Sequence, residues 1–147
     1  MERRRLGRAD VNVSVLGLGG SEIGYERAGR RTVARLLGIA LDAGLNVIDT
    51  AECYEDSETL IGAALGSRRD EIYLFTKCGH PRGYGRGDWR EASLLSSIER
   101  SLERLHTDRL DLIQLHSCEL SDLRKGEAIT ALERARARMD PLHRLQR

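Results

Sequence analysis

Four residues in this sequence carry complementary proton chemistry: Asp49, Tyr54, Lys77 and His116. A tyrosine free in water has a pKa of about 10, so at neutral pH it is a poor proton donor or acceptor. A lysine ammonium beside a tyrosine favours the phenolate, and an aspartate beside the lysine holds that cation in place. A neutral histidine next to them can hydrogen-bond a substrate oxygen and orient it. Such a set suits protonating a carbonyl oxygen as charge develops on it. It contains no Ser/His/Asp nucleophile, and nothing like H-E-x-x-H for a metal, so a hydride would have to come from a bound cofactor. Taken one at a time, the residues have plainer readings, with Asp49 capping the next helix and Tyr54 filling a loop. What separates the two readings is whether the fold brings the four together.

The hydrophobic pattern places three of them at strand ends. Leu45 to Asp49 is a short apolar run after a helix closed by Gly44, and reads as a buried strand with Asp49 at its carboxyl end and Tyr54 five residues on. Ile72-Tyr73-Leu74-Phe75-Thr76-Lys77 is a second such strand, and Leu110-Asp111-Leu112-Ile113-Gln114-Leu115-His116 a third. Ahead of them, Arg4 to Ser14 reads as a hairpin turning at Gly7-Arg8-Ala9-Asp10, and Val15 to Gly20 as a buried strand entering a glycine-rich loop. That loop lacks the G-x-G-x-x-G spacing of a dinucleotide fingerprint. Between strands, Thr32 is expected to cap a helix with Val33, Leu36, Leu37, Ala40 and Leu41 on one face. Ser57 is expected to cap a shorter one carrying Leu60, Ile61, Ala64 and Leu65. A longer helix places Leu94, Leu95, Ile98, Leu102 and Leu105 on one stripe, with Glu99, Arg100, Glu103 and Arg104 facing water. Alternating strands and helices predict a parallel α/β sheet with crossover helices, in which functional groups collect at the carboxyl ends of strands. If these strands lie side by side and curl as a barrel, Asp49, Tyr54, Lys77 and His116 converge at one rim.

These stretches resemble the N-terminal half of an aldo-keto reductase. Gly44-Leu45-Asn46-Val47-Ile48-Asp49-Thr50-Ala51 with Tyr54, then Ser57-Glu58 and Ile61-Gly62, is similar to the family's first signature. Ser97-Ile98-Glu99-Arg100-Ser101-Leu102-Glu103-Arg104-Leu105, running through Asp108 and Leu110-Asp111-Leu112 to His116, is similar to its second, and Thr76-Lys77 to its lysine strand. The resemblance implies a partial (β/α)8 TIM barrel: an N-terminal hairpin across the floor and about four parallel strands with crossover helices, over residues 1–138. It implies NADPH-dependent reduction of aldehydes or ketones to alcohols. By motif position, Tyr54 would be the general acid, Lys77 and Asp49 the pair tuning it, and His116 the residue orienting the carbonyl. Trp89, in the loop after Lys77, is expected to line a substrate cleft or to pack locally. The family's fifth-strand nicotinamide-facing residues, ring-stacking aromatic and phosphate-binding loops have no counterpart here, so most of the NADPH site is expected to be missing.

A complete barrel takes about 250 residues, and this sequence has 147. After a helix over Gly126–Arg138, the segment 139–147 contains Pro141 and no apolar run, and is expected to be a divergent tail rather than a fifth strand. The chain is therefore expected to be truncated or frame-altered within the family domain. Its open strand edges and exposed inner sheet face would favour homo-oligomers or aggregation. The competing expectation is a non-catalytic half barrel persisting as a vestigial or interaction module.

Composition narrows the remaining classes. Basic and acidic residues number 24 and 23, which leaves no global field for nucleic acid or an anionic membrane. No apolar run is long enough to span a bilayer, and Met1-Glu2-Arg3-Arg4-Arg5 is followed by no apolar h-region, so a cytoplasmic protein is expected. Three cysteines fit a reduced compartment better than a disulfide framework. Cys53, Cys78 and Cys118, with His80 and His116, fall near one rim, but their scatter without C-x-x-C pairing argues for small packed thiols rather than a metal site. The basic segment from Arg124 reads as a solvated helix packed by one face.

Overall fold

The computed structural model describes residues 1–7, 9 and 11–139. Arg8 and Asp10 of the expected turn, and the expected tail from residue 140 on, lie outside them. Strands β1 (Arg3–Arg5) and β2 (Asn12–Ser14) pair antiparallel, with Arg4 opposite Val13. Four strands then form one parallel sheet in chain order: β3 (Leu18–Gly19), β4 (Val47–Asp49), β5 (Tyr73–Cys78) and β6 (Leu112–Leu115). The crossovers run through α1 (Ser21–Tyr25), α2 (Arg30–Asp42), α3 (Ser57–Leu65) and α4 (Glu91–Arg104). After β6 come α5 (Leu120–Leu123) and α6 (Glu127–Met139).

Side-chain alternation on the sheet sorts its residues into two faces. Ile48 and Leu74, neighbours in register, are fully buried and pack with Val33, Leu37, Leu41, Ile61, Leu65 and Leu105 under the helices. Cys78 packs with Leu94, Ile98, Ala128, Ala131 and Ala135 where α4 meets α6. Asp49, Lys77 and Gln114 take the opposite face, as the pairing of Asp49 with Phe75 and of Lys77 with Gln114 requires. The periodicity that buries the helical core thus aims the polar residues away from it.

Several local expectations are corrected. Val15 and Leu16 are exposed, Leu16 by 63%, and only Leu18–Gly19 forms strand, because β3 is an edge with one pairing neighbour. The cap of α2 is Gly29, and Thr32 stands inside the first turn; Leu36 is exposed, while Val33, Leu37 and Leu41 carry the packing. Ser57 does not cap α3, which is preceded by Asp56. It is instead wholly buried, donating to the Gly20 carbonyl at 2.6 Å and lying 2.9 Å from Thr50 Oγ1, so it ties β3 to β4. Arg100 and Arg104 do not simply face water: they reach inward to the buried carboxylates of Glu52 and Glu58, at 3.5 and 3.4 Å. A buried carboxylate without such partners would be strongly destabilising. Strand β6 is only half covered, with Leu112 39% exposed, as befits the other edge of the sheet.

Helices α3 and α4 meet at Gly62, where a Cβ would come 2.4 Å from the Arg104 carbonyl oxygen. Neither helix can move away without opening the core between them. Gly62→Ala is expected to lower unfolding stability by about 1–3 kcal/mol, measured by chemical denaturation against the unaltered chain.

Candidate active site

The carboxyl end of β4 delivers the first group. Asp49 closes the strand, and the chain then leaves the sheet through Thr50–Ala51–Glu52–Cys53 to Tyr54. This loop is stitched to the neighbouring strand, with Thr50 N–H donating to the Phe75 carbonyl (2.9 Å) and Glu52 N–H to the Lys77 carbonyl (3.1 Å). Glu52 goes further. Its Oε1 accepts from the backbone N–H of Gly79 (2.7 Å) and of His80 (2.9 Å), clamping the loop after β5 to the loop after β4. Gly24 of α1 allows the close approach from the other side, since a Cβ there would lie 1.9 Å from the Tyr54 carbonyl oxygen. Glu55 (φ 47°) and Ser117 (φ 61°), both non-glycine, adopt left-handed conformations directly after Tyr54 and His116. Backbone held in that region costs energy that the surrounding packing must offset, and it concentrates at functional loops.

All four residues singled out by their chemistry meet. Lys77 Nζ is paired with Asp49 Oδ1, donates to the Thr50 carbonyl at 2.9 Å, and stands 5.0 Å from the centre of the Tyr54 ring. The lysine side chain is only 15% exposed, so its charge acts at close range with little screening. The Tyr54 and His116 rings meet edge to face at 5.6 Å, and the Tyr25 ring lies 5.7 Å from Tyr54. Burial, together with the Lys77 cation and His80, pulls the His116 imidazole below its ordinary value of 6.5, which favours the neutral ring. The array therefore holds a phenol, a fixed cation and a neutral imidazole on one surface.

Trp89 packs against the backbone of Gly79 and Gly87, where a Cβ would come 2.1 and 2.5 Å from its ring, and meets His80 edge to face at 5.6 Å. It also lines a cleft of about 740 Å³, with His80, Tyr84, Arg86, Ser117 and Lys125 among its walls. His80 is 4% exposed; its Nε2 lies 2.7 Å from the His116 carbonyl oxygen, and its Nδ1 is buried with no partner among the described residues.

Three contributors were not singled out from the sequence. Gln114 Nε2 donates to Asp49 Oδ2 at 3.2 Å, holding the second carboxylate oxygen; its place two residues before His116, on the face alternation gives to Lys77, was the available signal. Glu52 and Glu58 are buried carboxylates whose partners come from distant segments; Glu58 falls within the first-signature stretch, but no local pattern shows either to be buried. Burial raises the Glu58 carboxyl, against the hydrogen bond of Thr76 and the charge of Arg104. Among the described residues no group of three His, Cys, Asp or Glu side chains could hold a metal ion, and no helix is long and apolar enough to cross a membrane. Cys78, expected to turn away from Lys77, is fully buried, and burial pushes its thiol up to about 12.

Comparison with known proteins gives this geometry a context. Residues 15–138 match the family model for the Aldo/keto reductase family. The chain is 34% identical over 139 residues to the uncharacterized oxidoreductase YqkF of Bacillus subtilis (strain 168), covering 90% of this chain and 44% of that protein. It is 35% identical over 109 residues to the methylglyoxal reductase YeaE of Escherichia coli (strain K12), covering 73% and 36%. It superposes on the aldo-keto reductase AKR11C1 from Bacillus halodurans (holo form) with a TM-score of 0.81 and 35% identity, covering 91% of this chain and 46% of that one. The chain thus spans less than half the length of these relatives, and its four-stranded parallel sheet is a partial (β/α)8 barrel.

For an imidazole whose folded-state pKa is lowered, the unfolded chain binds protons more readily. Its contribution to stability is then complete above pH 6.5 and lost as pH falls through the folded-state value. His116 is expected to titrate below 6.5 when followed by proton NMR of its ring, and His116→Asn to remove that share of the acid destabilisation.

Proposed function

The chain belongs to the aldo/keto reductase family, and on that premise we propose that its rim is the proton-donating half of a site that reduces aldehydes or ketones to alcohols with NADPH. The observation that carries this reading is the Lys77 ammonium, fixed by Asp49 and the Thr50 carbonyl, 5.0 Å from the Tyr54 ring. Tyr54 donates its phenolic proton to the carbonyl oxygen. Lys77 stabilises the negative charge this leaves on the phenol, and Asp49, braced by Gln114, keeps the cation from swinging out to solvent. His116, neutral by burial, orients the carbonyl oxygen before transfer. Trp89 and the cleft beside it receive the rest of the substrate.

When bound, a reduced nicotinamide supplies the hydride to the carbonyl carbon. The residues described here suit the reacting end of that cofactor, since phenol, imidazole and lysine share one surface.

Three reduced cysteines and near-balanced charge support a cytoplasmic setting without nucleic-acid or membrane partners. A second reading, a half barrel that serves as an interaction module, is supported by the half-covered edge strand β6 and its exposed Leu112. Under that reading a second copy or another strand-bearing partner covers the edge. The discriminating experiment is NADPH oxidation against a panel of aldehydes, with Tyr54→Phe as control. Loss of the proton donor is expected to reduce turnover by about 10²–10⁴-fold. Turnover unchanged in Tyr54→Phe would remove Tyr54 from its role, and absence of turnover in the unaltered chain would favour the interaction module.

A further inference from the structure

Next to Tyr54 stands a thiol that the proton-transfer scheme does not use. Cys53 is 3% exposed, and its Sγ lies 3.3 Å from His116 Nδ1. A neutral imidazole has one protonated and one bare nitrogen, and the partner of one nitrogen decides which is which. We infer that Cys53 is a positioning residue: its S–H donates to His116 Nδ1, which locks the ring proton onto Nε2. This rests on the reading of His116 as the residue that faces the carbonyl oxygen, because only a protonated Nε2 can donate to that oxygen.

Three observations bear on the direction of the bond. Burial is the main cause raising the Cys53 thiol above its ordinary value, so the proton stays on sulfur. The hydrogen bonds of the described residues offer that buried proton no other acceptor. The reverse arrangement, with Nδ1–H pointing at sulfur, would exchange a nitrogen acceptor for a weak sulfur one and strand the thiol proton. His116 Nε2 has no hydrogen-bond partner among the described residues, and the ring is packed on its flanks by Tyr54, His80 and Tyr84. The ring plane is thus set by aromatic neighbours and the proton position by the thiol. Among the described residues no other hydrogen bond to the ring selects between its two tautomers.

The test reads the tautomer itself and needs no turnover. Protein labelled with ¹⁵N-histidine is examined by long-range ¹H–¹⁵N correlation at a pH above 7, with His116 assigned by its disappearance in His116→Asn. The unaltered chain is expected to show a bare Nδ1 and a protonated Nε2. Cys53→Ser, whose hydroxyl also donates, is expected to keep that pattern, and Cys53→Ala to give a mixture of tautomers. A protonated Nδ1 in the unaltered chain would overturn the inference, as would a Cys53→Ala spectrum indistinguishable from it. Should Cys53→Ala fail to fold, the unaltered and Cys53→Ser spectra still decide. A locked Nε2–H tautomer in a chain whose turnover is indifferent to Tyr54→Phe would leave this inference standing and sink the reductase reading instead. Turnover that depends on Tyr54 with the wrong tautomer would do the opposite.

Discussion

A lysine ammonium turned toward the inside of a sheet must find a negative partner within reach or destabilise the fold. Lys77 finds it on the neighbouring strand, in the Asp49 carboxylate and the Thr50 carbonyl. That requirement ties β4 to β5 in register, since the pair forms only if both residues take the same face, with Lys77 two residues beyond Phe75, the register partner of Asp49. It also tethers the segment leading to Tyr54, because the strand end that supplies Asp49 and Thr50 is the origin of the loop that carries the phenol. One ion pair thus couples sheet register to the geometry of the rim.

Around it, buried polar groups do the positioning that an apolar core cannot. Glu52 accepts from two backbone N–H groups of the next loop and is approached by Arg100, and Glu58 accepts from Thr76 while meeting Arg104. Both arginines come from α4, so the helix that buries Leu94 and Ile98 on one side also neutralises carboxylates at its flank. Such contacts are directional, and each has a single satisfying arrangement. They hold the loops after β4 and β5 at a fixed spacing, which the hydrophobic clusters alone would leave adjustable. The aromatic group of Tyr25, Tyr54, His80, Tyr84 and His116 then fills the space between loops in edge-to-face and tilted contacts.

Much of this was legible in the amino-acid order. The alternation of apolar runs with helical stripes specified a parallel α/β sheet, and Asp49, Lys77 and His116 at or just beyond three successive strand ends specified a common rim. Those features are local: they follow from side-chain period and from which residues end each run. The misreadings were local as well. Val15 and Leu16 look like core by hydrophobicity, and Thr32 and Ser57 look like caps by residue type. Exposure at a sheet edge and a competing buried hydrogen bond override such preferences, and neither is visible without neighbours in space.

By itself, then, the sequence determined the order of elements, the buried stripe of each helix, and the set of proton-handling groups that must share a face, because alternation and helical period are properties of consecutive residues. Only the tertiary structure decided that Gln114 braces Asp49, that Glu52 clamps two loops, and that Cys53 touches the imidazole of His116. Those contacts join residues 27 to 65 positions apart. No local preference encodes them, and they exist because packing brings these particular buried polar atoms within reach of partners from distant segments.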